Sequence, residues 1–159
     1  MEDNRVTEVA KNVLEVLLTG MGVVASVVSQ TKQIGDEEEG TPPIAFDIEG
    51  DDLGILIGRR GQTLACLQFI VRLIVGQQTK AWVPIVVDVE GYKQRCYERL
   101  QALAARLAEQ VKARRVPFTL EPMLAYERRI IHLALADDPD VTTESIGEGE
   151  SRKVVIRPK

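Results

Sequence analysis

Ile57-Gly58-Arg59-Arg60-Gly61-Gln62-Thr63 lies between two short apolar stretches: Leu53-Gly54-Ile55-Leu56 ahead of it, and Leu64-Ala65-Cys66-Leu67 followed by Phe69-Ile70-Val71 behind it. Two glycines flank two arginines where a helix is expected to begin. Glycine lets the backbone approach a ligand without interference from Cβ. A helix N-terminus offers unpaired N–H groups and the positive end of a dipole. Arginine adds a planar, permanently charged donor suited to phosphate oxygens. Taken alone, Gly-x-x-Gly is also what a plain helix–helix turn with two solvated arginines would show. Other phosphate loops fit less well: the glycines at 54, 58 and 61 lack dinucleotide-fold spacing, and no Gly-Lys-Ser/Thr is present.

The flanking pattern decides between these readings. Val6, Val9, Ala10, Val13, Leu14 and Leu17 are spaced for an amphipathic helix over residues 3–19, ending at Gly20. Residues 22–31, rich in Val, Ser and Thr, read as a strand. Ile44 to Glu49 alternates inward and outward as a second strand, and the acidic, turn-rich 35–43 segment makes a long hairpin tip between them. Helices are expected over 52–57 and 62–76. A third strand runs from Val83 to Val89, with Pro84 suited to a strand start or an edge. Helix, strand, strand, helix, Gly-x-x-Gly, helix, strand (αββααβ) is the order of a type II KH fold, whose loop clamps the backbone of single-stranded nucleic acid.

The rest of the chain reads as a second, smaller α/β unit behind a long helix. Residues 91–115 place Cys96, Leu100, Leu103, Leu107 and Val111 on one stripe and Arg95, Arg99 and Arg106 on another side. Pro117 ends that helix. Phe118-Thr119-Leu120 suits a short strand, and Pro122 suits the first turn of a helix running to about Ala136. Val141–Ile146 and Lys153–Arg157 are expected strands joined by Gly147-Glu148-Gly149-Glu150. The expected organisation is therefore α+β: residues 1–90 a KH unit, 91–115 a connecting helix, and 116–159 the second unit.

Arg128 and His132, four residues apart, share a helix face. A wheel of about 100° per residue gathers Met123, Leu124, Ile130, Ile131 and Ala134 on one side and Arg128, Arg129 and His132 on the other. The single histidine is thus expected to be exposed beside two arginines, which disfavour its protonation. Neutral imidazole still hydrogen-bonds phosphate or stacks on a base. Glu127 projects toward the apolar side and requires a cation or backbone partner. Tyr126 sits at the edge of the apolar arc, as core or as a stacking platform, with core favoured.

Composition narrows the classes further. Hydrophobic residues at 45% are enough for a globular core, and 28% charged residues favour solubility. No apolar run of about eighteen residues is present to insert into a membrane, and the acidic N-terminus lacks signal-peptide character. Cys66 and Cys96, isolated in apolar helical patterns, are expected to be reduced core residues of a cytosolic protein. Neither a metal site nor a cofactor is expected. The net charge of −4 is divided unevenly: residues 1–52 carry twelve acidic and three basic residues, and residues 53–159 carry twelve acidic and seventeen basic. The sign changes just before the glycine–arginine loop, so local charge still favours a polyanion. One histidine, no metal cluster and no nucleophile–base spacing argue against an enzyme.

Glu127-Arg128-Arg129-Ile130-Ile131-His132, then Thr143-Glu144-Ser145-Ile146-Gly147-Glu148-Gly149 and Arg152-Lys153-Val154-Val155-Ile156, resembles an Arg-x-x-x-His (R-3-H) single-stranded nucleic-acid-binding domain. Behind a KH domain, it resembles the bacterial Jag family of SpoIIIJ-associated (KhpB/EloR) proteins over roughly residues 3–159. The resemblance implies cytoplasmic RNA binding, regulation of cell elongation and envelope synthesis, and association with a small KH-only partner; a homodimer is the other expected pairing. The resemblance also implies that longer members carry a further N-terminal domain and linker, which this chain is expected to lack. The expected RNA-binding residues are Ile57, Gly58, Arg59, Arg60, Gly61, Gln62, Thr63, Arg128, Arg129, His132, Arg152 and Lys153, with Ile55, Ile57 and Leu64 lining a groove for bases. Single-stranded RNA is the expected ligand, and DNA a second candidate because 2′-hydroxyl contacts are not legible in sequence. The alternative is an adaptor that pairs with another KH protein through Phe69-Ile70-Val71 and the 91–115 helix.

Overall fold

The computed structural model describes residues 2–30 and 43–159, with side chains from Asn4 onward. The tip expected over 35–43 lies outside the described residues except for Pro43. The chain divides into two compact units, Met1–Tyr92 and Lys93–Lys159.

In the first unit, α1 (Glu2–Gly20) is followed by β1 (Ser26–Gln30), β2 (Ile44–Glu49), the single turn α2 (Gly54–Ile57), α3 (Gln62–Thr79) and β3 (Ile85–Val89). The sheet order is β1-β2-β3, with β1 antiparallel and β3 parallel to β2. Val6, Ala10 and Leu14 of α1 share a core with Phe46 and Ile48 of β2, Leu64, Leu67, Val71 and Val75 of α3, and Val87 and Val89 of β3. The αββααβ order is therefore observed. The strand expected from residue 22 starts only at Ser26, because Gly22 adopts φ 72° and turns the chain after α1. The strand expected from Val83 starts at Ile85. Pro84, which has no N–H to give a ladder, contributes its carbonyl to Ile44 N at 2.9 Å. α3 closes the outer edge of β3: Gln68 Oε1 accepts from Val87 N at 3.0 Å, and Arg72 Nε donates to Ile85 O at 2.7 Å.

The second unit comprises α4 (Tyr92–Arg114, its first residue counted with the first unit), β4 (Phe118–Thr119), α5 (Ala125–Leu135), β5 (Val141–Ile146) and β6 (Lys153–Pro158). Its antiparallel sheet runs β4-β6-β5. α4 thus groups with this unit. Lys112 binds Asp138 at 2.8 Å, and Arg115 Nη1 donates to Lys159 O at 3.3 Å. Pro122 lies outside α5, which starts three residues later. Leu124 precedes the helix in extended conformation, and the Glu127 side chain caps it by accepting Leu124 N at 2.9 Å. Glu127 is buried and finds the backbone partner its position requires.

Two expected core residues are on the surface. Cys66 is exposed on α3, whereas Cys96 is buried. Tyr126 is also exposed.

Candidate nucleic-acid interface

The Gly58–Gly61 loop is shaped by backbone conformations that L side chains avoid. Gly58 has φ 69° and ψ −167°, a region essentially restricted to glycine. A Cβ there would collide with the Thr63 side chain and come within 3.0 Å of Thr63 N. Arg60 (φ 54°) and Gly61 (φ 77°) follow in the left-handed region. Gly58 N closes α2 onto Gly54 O at 3.0 Å, so the chain leaves one helix and re-enters another within four residues. Gly61 is the N-cap of the eighteen-residue α3, and no side chain caps that helix. Gln62 N–H donates to Arg59 O, and the exposed side chains of Arg59, Arg60, Gln62 and Thr63 surround this N-terminus, where the dipole of α3 is positive.

The expected base groove is only partly present. Ile55 is 73% exposed, but Leu64 is 2% exposed and belongs to the core, and Ile57 is half-buried against that core. Leu64, Leu67, Val71 and Val75 recur at three- and four-residue intervals and face the sheet, so Leu64 cannot also face a ligand.

The second site is more engaged than a helical wheel suggests. His132 is half-buried and both of its ring nitrogens are taken: Nδ1 lies 2.7 Å from Thr143 Oγ1 and Nε2 lies 2.8 Å from Ser145 Oγ, both on β5. Burial, reinforced by the Arg128 and Arg152 charges, holds its pKa below the ordinary imidazole value. Arg128, also half-buried, donates from Nη1 to Met123 O at 2.8 Å. Arg152 Nη1 donates to Gly147 O at 2.8 Å and braces the β5–β6 turn. Arg128, His132 and Arg152 thus come together, while Arg129 is exposed and Lys153 stands at the start of β6. The expected exposure of His132 is overturned because β5 supplies a hydroxyl to each nitrogen. Thr143 and Ser145 are the residues that sequence reasoning missed. Their only signal was two hydroxyls in i, i+2 alternation on one strand face.

Among the described residues, no His, Cys, Asp and Glu group is placed to hold a metal ion, and no helix is long and apolar enough to cross a membrane.

These two units define a two-domain architecture of KH and R-3-H type. Residues 11–87 match the KhpA/KhpB KH domain, and residues 98–158 match the R-3-H domain. In carrying these two domains the chain is similar to the KhpB proteins. It is 46% identical over 113 residues to RNA-binding protein KhpB of Clostridium symbiosum, covering 71% of this chain and 51% of that protein. It is 36% identical over 124 residues to the protein of the same name from Bacillus subtilis, covering 77% and 60% respectively. The chain thus spans about half to three-fifths of the length of these relatives.

Proposed function

We propose that this chain is a non-enzymatic, cytoplasmic binder of single-stranded RNA. The observation that carries this reading is the Gly58–Gly61 loop, which opens onto the uncapped N-terminus of α3 beside two exposed arginines. The loop clamps backbone phosphates with little base selectivity, and the surface that Arg128, Arg129, Arg152 and Lys153 form around His132 contributes a second set of contacts. Relatives named RNA-binding proteins support the ligand class. Changing Arg59 and Arg60 together to Asp is expected to weaken every single-stranded oligonucleotide by a similar factor and to flatten the salt dependence, since fewer counterions are released. A folded double variant that binds RNA like the parent would remove the clamp. The resemblance to the Jag family extends the proposal to regulation of cell elongation and envelope synthesis, tested by cell length in a strain whose chromosomal copy carries the double variant.

A second reading is favoured by α3. Its outward side presents Cys66, Phe69 (65% exposed), Ile70 and Leu73 (55% exposed), an apolar stripe suited to pairing with another KH unit. Val71, in the same run, is fully buried and contributes nothing to such an interface. Light scattering on nuclease-treated protein separates the readings. A monomer that binds RNA tightly supports the first, and a stable dimer with negligible RNA affinity supports the adaptor.

A further inference from the structure

We propose that His132 is a positioning residue and that the hydroxyls of Thr143 and Ser145 are the atoms that meet the nucleic acid. This deepens the RNA-binding reading and rests on it. A neutral imidazole has one N–H to give and one lone pair to accept with. In this chain both positions are spent inside the protein, on Thr143 Oγ1 at 2.7 Å and on Ser145 Oγ at 2.8 Å. No ring nitrogen is left for a phosphate.

The arrangement transfers hydrogen-bonding capacity outward. Whichever tautomer is present, the ring N–H donates to one hydroxyl, whose own hydrogen is then free to point elsewhere. The other hydroxyl gives its hydrogen to the second ring nitrogen and keeps its lone pairs available. The trio therefore offers one O–H donor, matched to a non-bridging phosphate oxygen, and one oxygen acceptor, matched to a ribose 2′-hydroxyl or a base N–H. Thr143 and Ser145 alternate on one face of β5, so the two hydroxyls sit side by side. The β-branched Thr143 side chain is stiff at χ1. Arg128 and Arg152 place positive charge on the same ring, and each has used one guanidinium nitrogen on a backbone carbonyl. Burial and these charges lower the pKa of the ring and so favour its neutral form, which keeps the donor-and-acceptor division intact.

The test is a double-mutant cycle on the full chain, read as affinity for a labelled oligouridylate, with thermal midpoints recorded in parallel. Thr143→Val and Ser145→Ala remove the hydroxyls, and His132→Ala removes the ring. His132→Gln serves as a second ring variant should His132→Ala fold poorly. Each hydroxyl variant is expected to weaken binding about fivefold, the scale of one hydrogen bond. The ring variant should cost as much as the two hydroxyl variants combined. In the Thr143→Val/Ser145→Ala background, removing the ring should cost nothing further, and Thr143→Ser should bind like the parent. Additive losses would mean that His132 touches RNA itself and would overturn the proposal. So would hydroxyl variants that bind normally while the ring variant does not. An Arg128→Ala/Arg152→Ala variant, run alongside, isolates the underlying reading. If it also binds normally, this whole surface is not a nucleic-acid site and the positioning role falls with it.

Discussion

Gly58 shows how one residue constrains a binding loop from two directions. Its φ of 69° is strained for any side chain, and the space a Cβ would occupy is filled by Thr63. Gly58→Ala is therefore expected to destabilise the fold by about 1–3 kcal/mol, the scale of a forced residue in a glycine-only region, and to lose oligonucleotide affinity as well. Denaturant titration beside a binding isotherm checks both, and an unchanged midpoint would mean the loop relaxes around the methyl group. His132 makes a pH prediction whose sign follows from its lowered pKa. The unfolded chain, with an ordinary imidazole near 6.5, takes up the proton at a higher pH than the folded chain does. Stability is therefore lost as pH falls through that value toward the folded pKa, and levels off below it. Unfolding midpoints measured between about pH 7.5 and about pH 5.5 should fall with acidification in the parent and fall less in His132→Gln. Equal slopes in the two proteins would assign the effect to other groups.

At the scale of elements, α3 and α5 show what periodicity reveals and what it hides. The α3 residues Leu64, Leu67, Val71 and Val75 follow the helical repeat and are all buried, so this helix and the surrounding αββααβ order were legible in the sequence. The opposite face of the same helix is also apolar, and no repeat distinguishes it from core. Leu67→Ala is accordingly expected to cost about 2–5 kcal/mol by leaving a cavity. Phe69→Ser should stay within about 0.5 kcal/mol, as exposed changes do, while reducing any self-association seen by light scattering. A large loss from Phe69→Ser would place that ring in the fold rather than on its surface. α5 was read less well because its helix starts at Ala125. Met123 and Leu124, given helical angles on the wheel, precede it and tilt the inferred arc toward Ala134, which is exposed, as is Leu133 at 60%. The buried line is Glu127, Ile131 and Leu135, and its polar member is there to cap the helix. The His132 environment was not legible, because its partners lie eleven and thirteen residues downstream on β5. Their approach depends on how strand and helix pack, which a local pattern does not encode.

For the whole molecule, charge separates the two units. Met1–Tyr92 carries fourteen acidic and seven basic residues, and Lys93–Lys159 carries ten acidic and thirteen basic. A polyanion approaching the first unit finds local attraction at Arg59 and Arg60 against an acidic background, whereas the second unit is positive on balance. Neither site is expected to bind tightly alone, so affinity should come from one strand engaging both. The second contact then forms at the effective concentration set by the intervening nucleotides, a gain that reaches about 10²–10⁴-fold when the strand spans both sites well. The measurement is a length series of unstructured oligonucleotides against the intact protein, its Arg59→Asp/Arg60→Asp variant and its Arg128→Ala/Arg152→Ala variant. The parent should show a step in affinity at the bridging length, because shorter strands reach one site only. Each variant should show a smooth, shallow rise instead, having one site left to engage. A shared salt dependence checks the origin of the step: the slope for long strands on the parent should exceed the slope for short strands, since more phosphates are neutralised at once. A parent without a step, or a step that survives in both variants, would mean the two units bind nucleic acid independently of each other.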